Sequence, residues 1–190
     1  MDLPLILDTT YKNKDYTKTG LTKAEFDTCT FIDCNFSECY LSNSSFLDCE
    51  FTDCNLSNTK LKGTTFKEVQ FKNCKMVGMP FNNCNTFLLA FSFTDCNLSF
   101  SIFESLNIVN TIFKNSKLQG VDFSSCNLQN TEFNNCDLQN AVFENTTLDK
   151  SNFLSAYNYT KDPEVNSLKE SKFSKEHVFG LLQKYKVIIE

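Results

Sequence analysis

Phe31-Ile32-Asp33-Cys34-Asn35-Phe36-Ser37-Glu38-Cys39-Tyr40-Leu41 holds the pattern that decides the fold: a large apolar residue returns every fifth position, with a small one two places before it. Working outward, the fifth-residue series reads Leu21, Phe26, Phe31, Phe36, Leu41, Phe46, Phe51, Leu56, Leu61, Phe66, Phe71, Met76 and Phe81. A second run starts at Leu88, passes through Phe93, Leu98, Phe103 and Ile108, and alternates Phe with Leu up to Phe153. The residue two before each centre is nearly always Cys, Thr, Ser, Ala or Val, with larger exceptions at Met79, Phe91 and Leu106; nine of the 10 cysteines fall in this small class, and Cys84 lies ten residues after Cys74 at the break between the two runs. Between Leu21 and Phe153 no Asp, Glu or Lys stands at either position, so two residues in five face inward and three face water.

Neither a helix of 3.6 residues per turn nor a strand of period two keeps a strict five-residue apolar period on one side. Each pentapeptide must therefore turn the chain by a fixed angle, and the chain coils around its own apolar axis. Like side chains recur at a spacing of twenty, as in Phe26, Phe46, Phe66 and in Phe31, Phe51, Phe71, which predicts four pentapeptides per coil. The frame breaks once, near 82–87, where Phe81 and the next centre are seven residues apart. The string Thr-Asp-Cys-Asn-Leu-Ser at 52–57 and again at 94–99 measures the same excess of two residues over two coils, and the insertion should bulge or bend the rod.

Patterns such as Phe51-Thr52-Asp53-Cys54-Asn55-Leu56-Ser57 and Phe123-Ser124-Ser125-Cys126-Asn127-Leu128-Gln129 resemble the pentapeptide-repeat family, over about 70 per cent of the chain. The family consensus is Ala/Cys/Ser, Asp/Asn, Leu/Phe and two variable residues. The resemblance implies an all-β, right-handed quadrilateral β-helix, here of just under seven coils, closed by a short C-terminal helical cap. Three segments are expected: an N-terminal cap over 1–20 without the five-residue register, the β-helix over 21–157, and a helical tail over 158–190. In the tail, Asp162-Pro163-Glu164 predicts one helix start and Ser174-Lys175-Glu176-His177 a second, with Ser174 as N-cap. Val178, Leu181, Leu182, Tyr185 and Ile188 are the expected cap and dimer contacts, with Ile189 continuing the apolar end. The resemblance points to a homodimer through this tail, with a monomeric cap as the alternative.

The chain has 20 Phe, 10 Cys, no Trp and 18 basic residues that are all lysine, and its formal net charge is -5. Without arginine, and with only a loose lysine group at Lys60, Lys62, Lys67, Lys72 and Lys75, it is not expected to bind nucleic acid directly. The start from Met1 to Asp8 has neither the basic nor the apolar region of a secretory signal, and no apolar run suits a membrane span, so a cytoplasmic protein with free thiols is expected. Cysteines five apart, freely exchanged with Thr, Ser and Ala, are packing residues and not the close pairs of a zinc site. The one histidine, His177, lacks a nucleophile pattern, and no glycine-rich phosphate loop is present. Neither catalysis, metal nor cofactor is expected.

What remains is the acidic exterior. Asp33 should stack on Asp53, Asp48 on Glu68, and Glu104 and Glu144 should share a column; such columns repel until something cationic relieves them. The likeness to the quinolone-resistance and microcin-immunity type implies a partial DNA mimic that binds DNA gyrase or topoisomerase IV, with Glu104, Asp122, Glu132, Asp137 and Glu144 as the contact residues. A scaffold protein with another partner is the alternative. The mimicry is partial by magnitude: rungs ~4.8 Å apart make a rod of roughly 32 Å, over which duplex DNA presents about 19 phosphates. The chain offers only 15 acids against 9 lysines between 21 and 154, and it lacks the long inserted loop of the quinolone-resistance members.

Overall fold

The computed structural model describes residues 3–188. The chain winds as a parallel β-solenoid of about eight turns, with four faces per turn. The first face carries a four-stranded parallel sheet made by Leu5–Leu7, Glu25–Asp27, Ser45–Leu47 and Thr65–Lys67. The second carries nine parallel strands, from Thr10–Lys12 at one end to Lys172–Phe173 at the other. The third and fourth are rows of single bridges, Asn35 to Asn55 to Lys75 to Asn97 to Lys117 to Asp137 on the third and Pro80 to Ile102 to Asp122 to Val142 on the fourth. Register is twenty residues per coil, Phe26 on Phe46 and Phe113 on Phe133, as the spacing of like side chains requires.

Three physical features make five residues close one face. The centre is buried, with Phe26, Phe51, Leu98, Phe123 and Leu138 all at 0 % exposure. The small residue sits inward because its side chain donates to a carbonyl of the coil below: Thr59 Oγ1 to Phe36 O at 2.8 Å, Ser151 Oγ to Leu128 O at 2.7 Å, and Cys49 Sγ to Phe26 O at 3.4 Å. This shared donor geometry explains why Cys, Ser and Thr interchange there. The residue two after the centre turns the corner in the left-handed region, as at Asp33 (φ 50), Asn58 (φ 56) and Asn130 (φ 58). Asn and Asp tolerate that region better than other residues with a Cβ, and they fill most corners.

The aromatic rings stack in columns, and the columns change partners midway. In the lower coils the first and second faces hold all the phenylalanine centres but Phe36, which lies on the third, with Phe46 stacking on Phe26 at 5.1 Å and Phe51 on Phe31 at 4.6 Å. Above Phe81 they lie on the second and fourth faces, Phe133 on Phe113 at 5.3 Å and Phe123 on Phe103 at 5.2 Å, while Leu takes the other two. The two-period alternation of the second run is this exchange seen in sequence.

The exchange happens at the inserted residues, where the structure corrects an expectation. Leu88 is not an inward centre: it is 56 % exposed and turns a corner at φ 55. Asn85 still pairs with Thr64 in the old frame, at 2.8 Å, and the new frame begins where Phe91 pairs with Val69. The chain between them bulges outward, and Phe91 takes the vacated inner space, its ring 5.4 Å from Phe81 and 5.0 Å from Phe93.

Both ends also differ from expectation. Residues 5–12 are not an unregistered cap: Ile6 pairs with Phe26 and Tyr11 with Phe31, so the solenoid begins one coil earlier and runs to about eight turns instead of just under seven. Ile6, Tyr11, Tyr16 and Leu21 continue the period, but Pro4 and Lys14 at the small positions disguise it. At the other end Lys172–Phe173 still pairs with Asn152 and Phe153, and the tail beyond it folds into short 3-10 turns, Val178–Leu181 and Gln183–Tyr185, instead of an α-helix. Asp162-Pro163-Glu164 starts a turn and no helix. Ser174 does cap the segment after it, its Oγ accepting the His177 N–H at 3.3 Å.

The tail is pinned at Gly180, whose added Cβ would lie 2.2 Å from the Tyr159 carbonyl oxygen, and whose own carbonyl accepts the Lys161 N–H at 3.1 Å. Lys184 bridges Asp162 and Glu164 at 2.6 Å each. No helix among the described residues is long and apolar enough to cross a membrane.

Candidate protein-binding face

The five acidic residues singled out from sequence divide among three faces. Glu104, Asp122 and Glu144 lie together on the fourth face, in the rows set by the Ile102, Asp122 and Val142 bridges and by the Ser125 N–H to Glu144 O bond. Asp137 lies on the third face, in the row of Lys117, and Glu132 on the second, in the strand Glu132–Asn134 beside the strand that carries Lys114. Glu132 accepts a hydrogen bond from Asn134 Nδ2 at 2.7 Å. Asp137 accepts from Gln119 Nε2 at 2.7 Å and Asn158 Nδ2 at 2.9 Å. Its partial burial would raise its pKa, but these hydrogen bonds outweigh burial and hold the carboxyl below its ordinary value. Asp137 is thus already satisfied within the rod.

The fourth face is different. Among the described residues Glu104, Asp122 and Glu144 take part in no salt bridge. Asp122 accepts only the local Ser124 N–H at 2.9 Å. The aliphatic side chains of Ile102 and Val142 stand in the same rows at 36 % and 39 % exposure. Lower on this face the residues in corresponding positions are Tyr40, Lys60 and Lys62, so its charge changes sign along the rod axis. At its upper end a depression of about 630 Å3 opens between Val142, Glu144, Thr160, Asp162 and Val165. Asp162 at that rim, together with Glu164, is paired with Lys184, whose hydrogen bonds hold both carboxyls below their usual range.

Of the stacks expected elsewhere, that of Asp33 and Asp53 is relieved locally, whereas Asp48 and Glu68 take part in no salt bridge among the described residues. Asp53, above Asp33, accepts Asn73 Nδ2 at 2.6 Å, and Glu50 pairs with Lys72 at 2.8 Å. All 10 cysteines are free and buried. Burial pushes the thiols of Cys49, Cys126 and Cys136 up to about 12, which makes them packing groups and poor nucleophiles or ligands. No cluster of metal-ligating side chains occurs among the described residues. His177 Nδ1 lies 3.1 Å from Ser174 Oγ, in the capping contact described above.

Of the tail contacts expected from sequence, only Leu181 packs on the core. Val178, Leu182, Tyr185 and Ile188 are 38 %, 39 %, 48 % and 89 % exposed. Ile189 lies outside the described residues.

Sequence inspection missed Lys161. It occupies the small inward position of the fourth face, in the column of Thr59, Met79, Ser101, Val121 and Ala141, and is 2 % exposed. Its Nζ lies 3.3 Å from the centroid of the Phe153 ring, 4.2 Å from Phe143 and 4.3 Å from Tyr159, with no hydrogen-bond partner. Burial drives its pKa well below that of an ordinary lysine. Counting positions in fives beyond Phe153 would have found a lysine where the rule forbids one.

Similarity to known proteins follows the architecture. Among curated protein sequences none matches significantly. The solved structures most like it include HetL, a pentapeptide repeat protein involved in heterocyst differentiation regulation from the cyanobacterium Nostoc sp. PCC 7120, at 14% identity, with a TM-score of 0.65 over 92% of this chain and 88% of that one. A trypsin-treated form of QnrB1, a plasmid-mediated fluoroquinolone resistance protein, is also 14% identical, with a TM-score of 0.58 over 98% of this chain and 99% of that one. At such identity both likenesses speak for the fold alone. The family described as Pentapeptide repeat region matches residues 19–92 and 81–153, most of the length over which Phe and Leu centres stack, and the chain belongs to that family.

Proposed function

We propose that this chain is a non-enzymatic protein-binding rod, that the upper part of its fourth face is the contact surface, and that the partner is basic. The observation that carries this reading is the set of three carboxylates, Glu104, Asp122 and Glu144, that take part in no salt bridge among the described residues, interleaved with Ile102 and Val142. Like charges gathered on one face raise the free energy of the unbound rod and are relieved by a cationic partner, while the aliphatic residues supply area that benefits from burial. A type II topoisomerase, DNA gyrase or topoisomerase IV, is the partner class to test first, since QnrB1 with its fluoroquinolone-resistance role shares the fold. Protection from a quinolone or a protein toxin would then follow from occupying a DNA-binding surface, in the cytoplasm.

The test is direct binding of purified gyrase and topoisomerase IV, paired with supercoiling assays with and without a quinolone. The triple variant Glu104→Gln, Asp122→Asn, Glu144→Gln should weaken binding at least tenfold, while Asp33→Asn with Asp53→Asn should not. Absence of binding at micromolar protein removes the topoisomerases, and a triple variant that binds as well as wild type removes the fourth face. A second surface is supported by the exposed Phe179, Leu182, Val187 and Ile188 at the tail, which fit a two-fold homodimer. Light scattering on wild type and on Leu182→Asp with Val187→Asp tests it: a wild-type monomer ends the dimer proposal.

A further inference from the structure

The inserted residues do more than interrupt the winding. The corner between the first and second faces runs through Asp8, Thr28, Asp48 and Glu68, and the amides of the first three donate upward to the carbonyls of Asp27, Leu47 and Lys67 at 3.1, 2.9 and 2.9 Å. Glu68, next in the column, makes no such bond among the described residues, because the chain above it swings out between Thr86 and Ala90. The missing corner leaves a notch of about 680 Å3. Asp48 and Glu68 line its lower part and Leu88, Val109 and Ile112 its upper part. The three aliphatic residues are 56 %, 37 % and 43 % exposed. The two carboxylates are exposed, stacked on one another and in no salt bridge among the described residues. Lys67 also borders the notch and leaves it with an excess of one negative charge.

We propose that this notch is a docking site for a short extended peptide segment of a partner protein, one that places a Lys or Arg against Asp48 and Glu68 and an aliphatic side chain against Leu88, Val109 and Ile112. The Glu68 N–H is left to receive a main-chain carbonyl of the bound segment, as in strand-addition recognition, where main-chain bonds give affinity and side-chain pockets give specificity. Above the insertion the amides of the same corner column are paired coil to coil again, Asn110 to Gln129, Asn130 to Asp149 and Lys150 to Lys169, so within this column the notch is where an added backbone finds a donor. This site is separate from the fourth face.

The test uses a phage-displayed library of random peptides, selected on the full wild-type chain. The columns of the solenoid supply substitutions that fit: Lys150 occupies the Glu68 column at φ 60, and Asn152 occupies the Ile112 row. Glu68→Lys and Ile112→Asn should therefore fold, which circular dichroism and an unchanged melting temperature verify. The expected result is enrichment of peptides pairing a basic with an aliphatic residue. A synthetic copy of the enriched peptide should bind by fluorescence polarisation, lose at least tenfold in affinity to either variant, keep its affinity for the fourth-face triple variant, and slow hydrogen exchange of the Glu68 amide. The proposal is overturned if no such peptide is enriched, if binding ignores Glu68 and Ile112, or if the fourth-face variant abolishes it.

Discussion

Replacing Lys161 with Met should stabilise the protein, an unusual outcome for a fully buried position. Lys161 ends a column of small or apolar side chains that already includes a fully buried methionine, Met79, so the new side chain matches its surroundings and keeps the volume of the lysine stem. What it removes is an amine with no hydrogen-bond partner, hemmed in by the rings of Phe143, Phe153 and Tyr159. An unsatisfied buried polar group costs about 1–3 kcal/mol. Cation–π attraction offsets that only while the amine is charged, by about 2 kcal/mol when desolvated, and burial disfavours the charged form. The expected gain is about 1–3 kcal/mol at pH 7, and each kcal/mol moves the melting temperature of a chain this size by about 2–4 °C. The pH dependence fixes the cause. Because the folded-state pKa is depressed, the unfolded chain binds a proton that the folded chain does not, from that pKa up to the ordinary lysine value near 10.4. Wild-type stability should therefore rise with pH through that window and level off above it, and Lys161→Met should lack this contribution. Thermal and chemical unfolding from pH 6 to 10 measure both. A variant less stable than wild type by more than ~1 kcal/mol, with the same pH slope, would mean that the ring cage is a net stabiliser of an ammonium and would refute the reasoning.

Gly180→Ala should detach the tail, since its Cβ meets the Tyr159 carbonyl; hydrogen exchange should accelerate across 174–188 and leave the strand Glu132–Asn134 protected. Phe113→Ala removes a ring stacked between Phe93 and Phe133 at 5.2 and 5.3 Å and should cost about 3–5 kcal/mol in chemical denaturation. An Ellman titration should find the thiols unreactive in the native protein at pH 8 and all 10 reactive in guanidinium, because each is buried. Rapid native labelling of several would contradict the packing role.

The solenoid was legible because its cause is local and repeated: Phe and Leu at every fifth place, with Cys, Ser or Thr two before, report a geometry that each pentapeptide reproduces. Reading failed where that repetition is incomplete. Lys14 hid the first coil, since a long charged stem at a small position looks like the end of the pattern, although Tyr11 and Tyr16 stack on Phe31 and Phe36 at 4.9 and 4.8 Å. Leu88 satisfied the chemistry of an inward centre, and only the path of the backbone showed that Phe91 takes the space instead. The tail has an apolar stripe of helical spacing, yet Gly180 must lie flat on Tyr159, and short 3-10 turns accommodate that contact. Of the acidic face, the column shared by Glu104 and Glu144 could be read from spacing, whereas the scatter of Glu132 and Asp137 onto other faces required knowing which five residues form which side.

The claim on which the rest depends is that one coil takes twenty residues, with backbone bonds running from coil to coil. Scalar couplings across hydrogen bonds, measured by long-range triple-resonance NMR on labelled protein, read those bonds directly. The account expects the Phe103 amide coupled to the Asp122 carbonyl, Leu118 to Asp137, and Asn127 back to Leu106. Couplings from each amide to the carbonyl four residues earlier, through the stretch from Leu21 to Phe153, would contradict it.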